Sequence, residues 1–197
     1  MLLTKAELEL GKFADKQASR YAIGSLAVDS EYTIATDGHT MVAVKHDGHE
    51  VADFPAIEGF TPATPNGEPI LVEAKAALTA AKALPKTKSA VRSLQHAALG
   101  QSSKLYVSDG HNTQTFGLPQ EGRFPQWKAV WPQNNPKAVV LLDAAKLRAL
   151  AEYFAKVGKD VAEVKVEVFD KSTAVRFTGQ TADGQEVKAL LMPRRLD

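Results

Sequence analysis

Three times along the chain the same order of patterns returns: a short apolar strand, a helix, and then three further strands. In the first round Met1 to Leu3 is the strand. Thr4 opens the helix with Glu7 three residues on, the spacing of a capping box, and Leu8, Leu10, Phe13 and Ala14 carry its face to about Gln17. Strands follow over 20–28 and on the two arms of Thr33 to Val44. Those arms meet at Asp37-Gly38, the dipeptide favoured by a two-residue turn with positive φ at both central positions. Ile34, Thr36, Met41 and Ala43 alternate with Thr33, Ala35, Val42 and Val44, so both faces are apolar and the hairpin is expected inside a sheet covered by helices.

After a Pro- and Gly-rich connection over 46–66, the second round runs from a strand at 69–72 through an alanine-rich helix at 73–84 that Pro85 stops. Its strands are 93–99, 104–108 and 113–118. A second proline-rich connection, 124–136, leads to the third round. There 138–142 is a strand, Asp143 caps a helix with Leu147, Leu150, Phe154 and Val157 on one stripe, and Gly158 closes it. Strands over 161–169, 173–178 and 185–192 complete it. A period of roughly 60 residues is too long for a solenoid and suits supersecondary units set side by side. The fold class is α+β, with helices on one face of antiparallel sheets.

The bulk numbers exclude several functions. The chain has 24 basic and 23 acidic side chains, so no overall basic footprint announces nucleic acid, although local basic stripes remain compatible with that balance. No cysteine is present, which removes disulfides, thiolate metal sites and cysteine nucleophiles and fits a reducing, cytoplasmic setting. No stretch approaches the roughly 18 apolar residues of a membrane span, and acids come too early for a signal peptide. Asp-Gly-His occurs at 37–39, 47–49 and 109–111. A metal-dependent hydrolase built on these is the catalytic alternative, against the simpler reading that Asp-Gly makes turns and the histidine is incidental. With no paired-histidine helix, nucleophile elbow or phosphate loop, no catalytic residue, metal or cofactor is expected.

Three segments, Arg20-Tyr21 ahead of Ala35-Thr36-Asp37-Gly38-His39, Arg123-Phe124-Pro125 with Val130 and Pro132, and Leu191-Met192-Pro193-Arg194-Arg195-Leu196, in this order resemble the bacterial DNA polymerase III beta subunit, the sliding clamp. The first is similar to the clamp's middle domain, the second to that domain's exit, and the third to the C-terminal tail. The resemblance implies the DNA-clamp fold: three strand–helix–three-strand units, about one and a half clamp domains. Residues 1–132 resemble the middle domain and 133–197 the second half of the last. It further implies a non-enzymatic processivity factor that encircles duplex DNA as a homo-oligomer. The family ring contains twelve such units, so four copies of this chain would close it; the half-domain could alternatively pair with its twin and stop at a dimer.

By the same resemblance a partner-peptide pocket, the docking place of polymerase and clamp-loader peptides, comprises Ile23, Thr36, Gly38, His39, Thr40, Met41, Pro125, Ala129, Val130, Leu190, Met192, Pro193, Arg194, Arg195 and Leu196. Thr40 and Arg194 stand where the family usually has Arg and Met. The bland reading for Ile23, Met41 and Leu190 is core packing. Lys5, Lys12, Lys16, Arg20, Tyr21, Lys75, Lys82, Lys86, Lys146, Arg148, Lys156 and Lys159, on or near the three helices, are the DNA-facing set, against the reading that the cations among them solubilise helix surface. Trp127 and Trp131 either anchor the exit loop or contact a partner. A clamp-derived adaptor or decoy that binds peptides without closing a ring is the competing function.

Overall fold

The computed structural model describes residues 1–15, 17, 22–48, 51–86, 91–132, 134–136, 138–158 and 162–194. It divides into two compact units, Met1–Trp131 and Pro132–Asp197. In the first unit β1 (Leu2–Leu3), α1 (Lys5–Leu8), β2 (Ser25–Val28), β3 (Tyr32–Thr36) and β4 (Met41–Lys45) form one repeat, and β5 (Ile70–Glu73), α2 (Ala74–Ala83), β6 (Ala97–Leu99), β7 (Leu105–Ser108) and β8 (Thr113–Phe116) the next. Two four-stranded antiparallel sheets result, ordered β4-β3-β2-β5 and β1-β6-β7-β8. Each repeat therefore gives its first strand to the sheet of the other: Leu3 pairs with Ala97, and Val72 with Leu26.

The core between helices and sheets gathers Leu3, Leu8, Leu26, Val72, Leu99 and Leu105 among others. Alanines at 76, 77, 80 and 81 let α2 lie close to the first helix. The first helix is shorter than its pattern suggests. After α1 the chain tightens into a 3₁₀ turn, Glu9–Phe13, and leaves it in extended conformation at Ala14. A Cβ on Gly11 would lie 2.6 Å from the Ala74 carbonyl oxygen, so glycine permits the approach.

The hairpin between β3 and β4 has a four-residue loop instead of the expected two. Only Gly38 has positive φ, +88°, because the Asp37 carboxylate accepts from the amides of His39 (2.9 Å) and Thr40 (2.6 Å) and so shapes the turn itself. The same construction closes β7 onto β8, where Asp109 accepts from His111 and Asn112 and Gly110 has φ +95°. β4 is an edge strand, and one face of its sheet is covered by the helices while Phe124 and Trp127 of the exit loop cover the other.

After the short helix α3 (Trp127–Val130), α4 (Ala144–Gly158) of the second unit packs Phe154 against β10 (Val175–Gln180) and β11 (Glu186–Leu191), in a sheet ordered β11-β10-β9 that β9 (Lys165–Glu167) completes. Its N-terminus is capped as expected, with the Asp143 carboxylate accepting from Ala145 and Lys146 amides. Among the described residues the strand expected at 138–142 is reduced to one bridge, Leu141 to Arg194. The expected strand 161–169 is confined to β9, and that over 20–28 starts at Ser25. Among the described residues no helix is long and apolar enough to cross a membrane.

Candidate interaction faces and the polar centre behind them

On the outer face of the first unit's β4-β3-β2-β5 sheet, Ala27, Ile34, Leu71 and Phe124 form a small buried cluster. Ile23 and Met41, both half-buried, pack against its rim. The exit segment is pinned there by Trp127, on the short helix α3 (Trp127–Val130). Its Nε1–H donates to Asp29 Oδ2 at 3.2 Å and its ring meets Tyr32 edge-on, centroids 5.4 Å apart. Asp29 Oδ1 also accepts from the Glu31 and Tyr32 amides, both at 2.7 Å, and Lys128 lies 3.9 Å from Oδ2. Trp127 is thus an anchor. Trp131 stands edge-on to it at 6.3 Å with half its surface exposed, and Val130 is more exposed still. A cavity of about 890 Å³ opens beside this segment, lined by Leu71, Pro125, Trp127 and Ala129 together with Asp29 and Glu68.

The other proposed pocket residues of this unit fall on the hairpin loop. Thr36 is buried; its hydroxyl donates to the Thr40 carbonyl (2.7 Å) and accepts from the Gly38 amide (3.1 Å). Gly38, His39 and Thr40 are exposed. In the second unit Leu190 and Met192 are exposed, so Leu190 is not core, and Pro193 is half-buried. The Arg194 guanidinium hydrogen-bonds the Asp143 carboxylate, and its amide donates to the Leu141 carbonyl at 2.8 Å. Backbone amides and Arg194 hold the Asp143 carboxyl below the usual carboxylate range. Arg195 and Leu196 lie outside the described residues.

The described members of the proposed DNA-facing set are solvent-facing. Lys75 and Lys82 stand two turns apart on α2, opposite its buried alanines, and Lys86 follows it. Lys5 and Lys12 are exposed on either side of Glu9, each 3.9 Å from its carboxylate. On α4, Lys146 and Lys156 are exposed and Arg148 reaches Glu152 at 3.5 Å. Lys16, Arg20, Tyr21 and Lys159 lie outside the described residues.

Sequence reasoning missed the polar centre of the first unit. Glu7 is fully buried. Oε2 accepts from the Thr4 amide and hydroxyl, both at 2.7 Å, completing the capping box. Oε1 accepts from the Thr33 hydroxyl (3.1 Å) and meets His46 Nδ1 at 2.6 Å, while His46 Nε2 lies 3.0 Å from the Asp29 carbonyl oxygen. Both ring nitrogens therefore face acceptors, an arrangement that an imidazolium satisfies in full. Burial works against that charge, but the Glu7 carboxylate and Asp29 carbonyl outweigh it, and His46 titrates above its ordinary value. Only the Thr4–Glu7 spacing was a local signal for this centre. His49, from the second Asp-Gly-His, lies outside the described residues. The carboxylates of Asp37 and Asp109 serve their own turns, and the described residues gather no group of three potential metal ligands.

No family model matches this chain, and no curated protein does. Solved structures do. A DNA polymerase sliding clamp from Pseudomonas aeruginosa is 16% identical with TM-score 0.68, over 98% of this chain and 50% of that one. The DNA polymerase III beta chain of Streptococcus pneumoniae is 12% identical with TM-score 0.68, over 99% and 49%. The beta sliding clamp of C. crescentus, solved with polyethylene glycol bound, is 18% identical with TM-score 0.62, over 98% and 50%. The chain spans about half the length of these structures, and across nearly all of its own length it has the fold of bacterial sliding clamps.

Proposed function

We propose that the chain is a sliding-clamp-like processivity factor: a homo-oligomeric ring that encircles duplex DNA and holds partner peptides on the apolar outer face of its first unit. The observation that carries this reading is the clamp fold over 98% of the chain. With three repeats per chain, four copies supply twelve, and a homotetramer is the assembly proposed. Tethering of this kind needs no catalysis. A closed ring with weak phosphate contacts slides and does not dissociate, so binding is independent of base sequence and falls with salt.

Lys75, Lys82 and Lys86 are the strongest candidates for phosphate contact, since Lys5 and Lys12 share Glu9. Peptides of a polymerase or clamp loader are held, in this reading, by the rim of Ile23, Met41, Pro125 and Ala129. Apolar side chains there adapt to different partners, methionine most readily. The test is DNA titration with unrelated duplexes across a salt series, using the full chain and Lys75→Glu/Lys82→Glu. Equal affinity for all duplexes, with a salt slope that the double variant reduces by roughly 0.9 per lost contact, supports the reading. Peptide binding without any DNA binding would favour the adaptor instead.

A further inference from the structure

The three repeats sit in unequal surroundings. In each, the segment just before the helix ends in two apolar residues: Leu2-Leu3 before Thr4, Leu71-Val72 before Glu73, and Leu141-Leu142 before Asp143. The first four are 4%, 0%, 6% and 0% exposed, because each pair enters the other repeat's sheet. Leu141 is 44% exposed, and among the described residues its segment makes a single bridge.

The acceptor side shows the same contrast. β2 and β6, which receive the exchanged strands, are buried throughout. β9, their counterpart after α4, pairs among the described residues with β10 alone, and Val166 is 54% exposed although it pairs with the buried Phe177 and so shares its face. The helix repeats the pattern: α2 buries four alanines against the first repeat, whereas α4 buries Phe154 alone and leaves Leu147 and Tyr153 exposed. Val140 and Leu142 pack against the second unit's own core, while Leu141, the β9 edge and the helix flank are open together, and the first unit shows what closes such a set: a second repeat of the same kind.

We propose that the second unit is completed by the second unit of another copy, through reciprocal strand exchange about a two-fold axis. Residues 138–142 of each copy add to the open edge of β9 in the other, giving two four-stranded sheets with the two α4 helices packed between. The Leu141–Arg194 bridge occupies one edge of the donor segment; Val140 and Leu142 direct their backbone groups to the opposite edge, where no described residue hydrogen-bonds them. Such an arrangement is isologous, with each chain both donor and acceptor, and it removes an unprotected strand edge. It rests on the comparison among the repeats and not on the DNA reading.

The test is the solution mass of the full chain by light scattering, for wild type, Val166→Lys and Leu141→Lys, with circular dichroism as the folding control. Both positions are exposed in a single copy, so lysine is tolerated in the fold and disrupts only the exchange. The expected result is a wild-type mass of two or four times 21.2 kDa that halves in both variants with the spectrum unchanged. A wild-type tetramer that both variants leave intact would overturn the exchange while sparing the ring. A wild-type dimer split by both variants would support the exchange and remove the four-copy ring. Should the variants fail to fold, amide hydrogen exchange on wild type decides: protection at Val140 and Leu142 that is lost on dilution supports the exchange, and fast exchange at every concentration overturns it.

Discussion

At the scale of single residues, Glu7 is the side chain on which most depends. Its carboxylate links the cap of the first helix to β3 through Thr33 and to the end of β4 through His46. Glu7→Ala leaves the Thr4 amide and hydroxyl, the Thr33 hydroxyl and His46 Nδ1 without their acceptor in a buried site, and a loss of about 3 kcal/mol in denaturant unfolding is expected. His46 makes stability depend on pH with a definite sign. Its pKa is raised in the folded state, so its contribution is complete below the unfolded value of roughly 6.5 and is lost as pH rises through the folded value. The melting temperature should fall from pH 6 to pH 8, and His46→Gln should flatten that slope. The Thr4–Glu7 capping box was legible because its partners are three residues apart. The reach from Glu7 to His46, separated by 39 positions, leaves no local mark in the sequence.

At the scale of elements, the helix flank of the first unit tolerates no side chain at Gly11, whose Cβ would meet backbone at Ala74. Gly11→Ala should cost about 2 kcal/mol through overpacking, read from thermal unfolding. The exit segment depends on Trp127. Trp127→Phe keeps the ring against Tyr32 and loses the bond to Asp29, for about 1 kcal/mol, while Trp127→Ala releases the segment and should weaken peptide capture at the cavity it lines. Hairpins and the capped helix α4 could be read from the sequence because turn chemistry and helical stripes are local. The exchange of β1 and β5 could not, since Leu2 pairs with Ala98 across most of the first unit and nothing in either segment names its partner. The segment 138–142 shows the reverse: strand-like composition, yet only one bridge among the described residues.

At the scale of the whole molecule, the clamp fold and the exposed lysines of α2 together make a topological claim. A ring holds DNA by enclosure, so salt that removes phosphate contacts should not release it from DNA without ends. The protein is first equilibrated with linear duplex, so that rings thread over the ends; half the sample is then circularised by ligation, and both halves are passed through a sizing column in high salt. Retention on the circles and loss from the linear molecules is the predicted result. Equal loss from both would contradict the ring and leave the chain as a peptide-binding adaptor.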